Sequence, residues 1–155
     1  MSYLTDTSIL IRTVHANSPF QQIALDALDE LRKQKETLCI IPQNIIEFWV
    51  VATRPTASNG LGLTIEETKA RIEQLKMLFI LKSDQSDIFD NWESLVDRYR
   101  VAGKNAHDTR LVAAMQTHGI SHLLTFNVDD FKRFKNIITV VSPQEVLANF
   151  EPGSN

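Results

Sequence analysis

The chain has 155 residues, 43% of them hydrophobic and 23% charged, which suits one globular domain with its own core and argues against disordered, collagen-like and coiled-coil classes. With 16 lysines and arginines against 19 acidic residues the net charge is −3, the wrong sign for gripping nucleic acid through a broad basic surface. Any polyanion must be bound locally, where a divalent cation held by acidic side chains could invert the field.

Short apolar runs rich in β-branched residues alternate with segments of helical period, the pattern of βαβ units around a parallel sheet. Strands are predicted over residues 3–6, 38–42, 77–81, 122–125 and 138–141. Between the first two, Ser18-Pro19 reads as N-cap and first-turn proline of an amphipathic helix that carries Ala24, Leu25, Leu28 and Leu31. The second strand contains Cys39, the single cysteine, which cannot form an internal disulfide and reads as a buried, inert thiol suited to a reducing cytoplasm.

A helix follows through Ile45, Ile46, Trp49 and Val50 and stops near Thr53-Arg54-Pro55, because the residue before a proline disfavours helix. Ser58-Asn59-Gly60-Leu61-Gly62 is a turn within the domain, and Thr64 with Glu67 forms a capping-box signature for a helix running toward Met77. A helix over 86–101, an irregular stretch at 103–106, a helix over 107–118 and a short helix after Ser142-Pro143 complete a single domain over residues 1–150. Residues 151–155 are expected to form a frayed, disordered tail. The N-terminus carries no basic-then-apolar leader, and no stretch approaches the ~18 apolar residues needed to span a bilayer, so a cytoplasmic protein without membrane association is expected.

Four acidic positions fall where a parallel sheet would deliver them to one rim, and open α/β sheets bind ligands outside the carboxyl ends of their strands. Asp6 ends the first strand, although it could equally N-cap the helix that begins near Ser8. Glu47 lies inside Ile45-Ile46-Glu47-Phe48-Trp49-Val50-Val51, either as a partly buried carboxylate or on a solvent-facing stripe with Gln43, Asn44 and Arg54. Asp108 opens a helix on its apolar face, where the helix N-terminus alone would also favour a negative charge. Asn127, Asp129 and Asp130 occupy the turn after the fourth strand, and one of them could serve only to cap it.

Oxygen ligands of this kind suit hard Mg²⁺ or Mn²⁺, and two or three carboxylates with retained waters are enough. A cation so held relieves the repulsion among the acids, activates water and stabilises in-line displacement at phosphorus, so that phosphodiester hydrolysis needs no Ser, Cys or His nucleophile. The competing signatures are missing. His15, His107, His118 and His122 lack the spacing of a zinc site, no Gly-rich phosphate loop follows a strand, and no nucleophile elbow is present.

Taken in order, Leu4-Thr5-Asp6-Thr7-Ser8, a Glu in the helix after strand two, His107-Asp108-Thr109-Arg110-Leu111-Val112-Ala113-Ala114-Met115 and Leu124-Thr125-Phe126-Asn127-Val128-Asp129-Asp130-Phe131 resemble the motifs of VapC-like PIN-domain proteins over essentially the whole chain. The resemblance implies a three-layer α/β/α domain around a central parallel sheet of four or five strands. It further implies Mg²⁺- or Mn²⁺-dependent endoribonuclease activity, commonly as the toxin of a type II toxin–antitoxin pair, a homodimer inhibited by its cognate antitoxin. Asp6, Glu47 and Asp108 match the family's acids; at the fourth position this chain has Asn127, so either Asp130 supplies the charge or Asn127 holds a metal-bound water.

Thr7, Ser8 and Thr125 could orient ligands or substrate phosphate, or could simply cap the helix and the turn. Lys132, Arg133 and Lys135, with Arg12, Lys104 and Arg110, could meet RNA phosphates or belong to a solvated surface. Two other classes compete: a PIN-fold binding module that has lost catalysis, and a phosphoryl-transfer domain of the receiver or haloacid-dehalogenase type. The latter usually has a second Asp two residues after the first, where this chain has Ser8.

Overall fold

The computed structural model describes residues 1–150, so the expectation for the tail lies outside the described residues. In chain order the elements are β1 (Ser2–Thr5), α1 (Thr7–Val14), α2 (Gln21–Lys33), β2 (Thr37–Ile40), α3 (Pro42–Thr53), α4 (Ile65–Leu78), β3 (Ile80–Leu81), α5 (Asp87–Arg98), α6 (Asn105–His118), β4 (His122–Leu124), α7 (Val128–Phe131), β5 (Thr139–Val141) and α8 (Pro143–Phe150). The five strands form one parallel sheet in the order β3-β2-β1-β4-β5.

Why the strands read as unbroken apolar runs follows from their burial on both faces. Tyr3, Leu38, Ile40 and Leu124 pack with Ile9, Leu10, Leu28, Leu31 and Phe48 on one side. Leu4, Cys39, Ile41 and Leu123 pack with Ile88, Leu95, Leu111, Val112 and Met115 on the other. Helices on either face of a central sheet make the three layers that the family resemblance implies. Cys39 is buried as expected, and its burial pushes the thiol above its usual range.

The sheet grows outward from β1 in both directions, with β2 then β3 on one side and β4 then β5 on the other. Chain order thus reverses at β1, and the crevice of such a sheet opens where two neighbouring connections diverge at the carboxyl ends. The ladder runs one residue past β1, the Asp6 amide donating to the Leu124 carbonyl at 2.9 Å. That bond fixes Asp6 at the mouth of the crevice.

Several boundaries differ from the sequence-based expectation for local reasons. Pro42 opens α3 instead of ending β2; the Ile41 amide donates to the buried Asn44 side chain at 2.9 Å, and a proline at the first helical position forfeits no helical hydrogen bond. Helix α2 starts at Gln21, because the Phe20 amide donates to Ser18 Oγ at 3.2 Å and closes a separate turn. Leu25 is 41% exposed, and Ala27 takes its expected place in the core. The third strand shrinks to two residues because α4 continues to Leu78. Thr64 does cap α4, accepting the Glu67 amide at 3.0 Å. Helix α5 stops before Arg100, whose φ of 52° cannot continue it, and α6 begins at Asn105 inside the stretch expected to be irregular.

The segment after α3 folds back on that helix, with the Leu61 amide donating to Val51 at 3.0 Å and the Gly62 amide to Arg54 at 2.9 Å. Gly60 sits so tightly in this fold-back that a Cβ would lie 2.0 Å from the Arg54 carbonyl oxygen. Gly60→Ala must therefore displace backbone and is expected to lower stability by about 1–3 kcal/mol. A denaturant titration would read this as an earlier midpoint at unchanged slope, and an unchanged midpoint would refute the backbone clash.

Candidate active site

Asp6 is 5% exposed, and one carboxylate oxygen accepts hydrogen bonds from Ser8 Oγ and Thr125 Oγ1, both at 2.7 Å. It occupies the N-cap position of α1, where its carbonyl receives the Ile9 amide, but its side chain makes no cap hydrogen bond. The carboxylate is turned instead into the β1/β4 crevice. Burial pushes its pKa up, and the bonds from Thr125 and Ser8 pull it back.

The two hydroxyls are themselves fixed. Ser8 Oγ accepts the Phe126 amide at 3.3 Å, and Thr125 Oγ1 accepts the Asn127 amide at 2.9 Å. The start of α1 and the turn after β4 are thus locked together through Asp6. Thr7 also lines the cleft over these groups; its hydroxyl accepts from Asn44 Nδ2 at 3.3 Å and meets the Glu47 carboxylate, joining α1 to α3.

Glu47, half-buried on α3, accepts from Gln43 Nε2 at 2.8 Å. The same nitrogen reaches the His107 carbonyl at 2.8 Å, and Arg110 Nη1 donates to Gln43 Oε1 at 3.2 Å. This is no simple solvent-facing stripe, since Asn44 is fully buried and Gln43 ties Glu47 to α6. The Gln43-to-Glu47 spacing of four residues was the only signal of this support in the sequence. Burial raises the pKa of Glu47 first, and the charge on Asp6 adds to it.

Asp108, in the first turn of α6, is pushed up to about 6 by burial and then by the charges of Asp6, Asp130 and Glu47, with His107 opposing. The charges of three acids from three separate segments are therefore felt at Asp108. Asp130 and Asp129 are exposed on α7 and border a shallow hollow with Asn127. Of the three residues in that turn, Asp130 is the one whose charge reaches Asp108.

A cleft of about 770 Å³ opens over these groups, lined by Asp6, Ser8, Glu47, Asp108 and Asn127, with Arg12, His15 and Phe126 along one part and Thr56, Asn59, Gly60 and Leu61 along another. Gly60 thus shapes a wall of the cleft as well as its own loop. Of the cationic candidates, Arg12 lines the cleft, Arg110 is engaged with Gln43 and with Asp84 at 3.3 Å, and Lys104, Lys132, Arg133 and Lys135 are exposed. His118 meets the Ser83 carbonyl at 2.9 Å and His122 packs on Tyr3 with centroids 4.7 Å apart, so neither faces the acids. The sequence reading set His15 aside with the other histidines and gave no sign of the aromatic edge of the cleft.

Among the described residues no three His, Cys, Asp or Glu side chains close into a cage sufficient for a metal ion on its own. The donor set nonetheless fits a hard divalent cation, which keeps several waters and takes one or two carboxylates with the rest of its shell open. Burial first, and then the charges of Asp6, Asp130 and Glu47, hold Asp108 near 6, and a cation bound here would offset both.

No curated protein sequence matches the chain significantly. Among solved structures it is similar to VapBC-1 from nontypeable Haemophilus influenzae, at 17% identity and a TM-score of 0.67 over 93% of this chain and 99% of that one. It is also similar to VapBC2 from Rickettsia felis bound to a promoter DNA fragment, at 14% identity and a TM-score of 0.68 over 92% and 98%. A third is Mycobacterium tuberculosis VapC20, described as a sarcin-ricin loop cleaving toxin, at 18% identity and a TM-score of 0.61 over 84% and 93%. These identities establish a shared fold. The sequence model of the PIN domain matches residues 3–137, a span that takes in Asp6, Glu47, Asp108 and Asp130, and the chain belongs to the PIN-domain family.

Proposed function

We propose that this protein is a Mg²⁺- or Mn²⁺-dependent endoribonuclease and the toxin of a type II toxin–antitoxin pair, working in the cytoplasm. The observation that carries the reading is the convergence of Asp6, Glu47 and Asp108 on one open cleft at the carboxyl edge of a parallel sheet, with the charge of Asp130 reaching Asp108 from the neighbouring hollow. Asp6, Glu47 and Asp108 would hold the cation, with Asp130 as the fourth charge and Asn127 placed to position a water. Ser8 and Thr125 keep the Asp6 carboxylate in one orientation, and Gln43 does the same for Glu47. When bound, the metal supplies a water of lowered pKa and stabilises charge on the reacting phosphate.

Support for an antitoxin partner comes from a structural neighbour described as a toxin-antitoxin complex from Klebsiella pneumoniae, and for an RNA target from the neighbour described as a sarcin-ricin loop cleaving toxin. A homodimer is part of the same reading. Among the described residues no helix is long and apolar enough to cross a membrane.

The test is cleavage of a mixed cellular RNA pool in Mn²⁺ by wild-type protein, by Asp108→Asn and by EDTA-treated protein, with fragment ends mapped by sequencing. Cutting that requires both metal and Asp108 is the expected result. A pool left intact by folded, metal-supplemented wild type, or cut equally well by Asp108→Asn, would count against the proposal.

A further inference from the structure

The cleft holds side chains for which hydrolysis itself has no use. Phe126, directly after Thr125, lines the cleft and is anchored by its amide on Ser8 Oγ. Phe20, 39% exposed, meets Phe126 edge to face, with centroids 5.5 Å apart and planes at 61°. Arg12 lies over the Phe20 ring at 5.2 Å and donates to Ser18 Oγ at 3.2 Å, which fixes it against the turn before α2. Three separate segments thus converge to build an aromatic corner with a cation, beside the buried carboxylate of Asp6.

Charge decides what such a corner suits. Three carboxylates, Asp6, Glu47 and Asp108, line the same cleft, and among the described residues that line it Arg12 is the one permanently charged cation. A ligand placed here must offer a flat π-face to the rings and negative charge to Arg12, and an unpaired nucleotide offers both. A base locked in an A-form helix cannot stack on a side chain, because its faces are covered by its neighbours.

Resting on the endoribonuclease reading, we propose that Phe126, Phe20 and Arg12 form a subsite that stacks one unpaired base of the RNA next to the phosphate being cut and meets the adjoining phosphate with Arg12. The subsite selects for single-stranded segments, loops or bulges, and not for a particular base, since every base has a π-face.

The test measures binding apart from cleavage. Wild type, Phe126→Leu and the more exposed Phe20→Leu are titrated in EDTA against a short single-stranded RNA carrying 2-aminopurine, and against the same strand in a duplex, with thermal melts to confirm folding. Wild type should perturb 2-aminopurine fluorescence on binding the single strand and prefer it to the duplex. Each folded variant should lose roughly 5- to 150-fold in single-strand affinity, the range expected for one stacked base. Equal affinity of wild type and both folded variants, equal affinity for duplex and single strand, or no binding by wild type overturns the subsite; unchanged RNA affinity leaves the corner to a protein partner. Cleavage in Mn²⁺ separates the two readings. Phe126-dependent binding by a protein that never cuts RNA keeps the subsite and rejects the nuclease, whereas cutting with unaltered single-strand affinity in both variants keeps the nuclease and rejects the subsite.

Discussion

Replacing Asp6 by Asn is expected to abolish metal-dependent RNA cleavage and, in the absence of metal, to stabilise the fold. The loss of activity should be about a hundredfold or more, because even the hydrogen-bond partners of metal ligands are worth 10- to 100-fold. The gain in stability follows from burial. Asp6 is 5% exposed with its pKa pushed up by desolvation, so at neutral pH the folded state carries a charge that the unfolded chain would hold more easily in water. Asparagine keeps an oxygen that can accept from Ser8 and Thr125 and removes the charge. In EDTA the melting temperature of Asp6→Asn should therefore exceed that of wild type, by about 2–4 °C for each kcal/mol relieved. In Mn²⁺ the order should reverse, since a ligand bound only to the folded state stabilises by mass action and the variant binds it poorly. A variant less stable than wild type in EDTA would mean that the charge itself holds α1 to the turn after β4, making Asp6 a structural tie.

The direction of these effects was legible in the sequence for Asp6 and less so elsewhere. A strand buried on both faces reads as a continuous apolar run whose end marks the rim, so Leu4-Thr5-Asp6 put Asp6 at the sheet's edge while leaving open whether it only capped the helix that follows. Asp108 was legible by helical period, one turn from Leu111 and Val112 on the buried face. The same rule, applied to hydrophobicity instead of position, misplaced Leu25: Ala24, Ala27, Leu28 and Leu31 make the buried stripe at the i, i+3, i+4, i+7 spacing, and Leu25 lies off it. Pro42 was assigned to a strand because apolar runs do not show where an extended segment gives way to a helix start.

What stayed hidden depends on contacts distant in the chain. The Gln43 amide bridges to a carbonyl 64 residues away, and Ser8 and Thr125 meet at 3.5 Å across 117 residues. Neither partner can be named from local pattern. The fourth acidic position was undecidable for a similar reason, because a short turn can present any of Asn127, Asp129 and Asp130, and only packing against α6 determines whose charge is felt at Asp108.

Metal-free protein should lose stability as the pH rises from about 4 to about 6, opposite to the usual behaviour of ion-paired carboxylates. The folded pKa of Asp108 is pushed up to about 6, above the usual value near 4 of an unfolded aspartate, so across that window the folded state binds more protons than the unfolded state. Stability then falls with rising pH; the contribution is present in full below about 4 and gone above about 6. Asp108 is only half-buried, so solvent screening holds the effect to about 1 kcal/mol, and the titration belongs to the coupled group of acids as much as to one residue. Because other carboxylates titrate in the same range, the quantity to measure is the difference between wild type and Asp108→Asn in EDTA. That difference should shift in favour of the variant as the pH rises from 4 to 7. Mn²⁺ should act with the opposite sign, since it binds deprotonated oxygens: the rise in melting temperature that it causes in wild type should be small at pH 5 and large at pH 7.5. A metal-induced rise independent of pH would place the cation away from Asp108, and a flat difference between wild type and variant in EDTA would mean that burial and the charges of Asp6, Asp130 and Glu47 do not raise Asp108 above the usual carboxylate range.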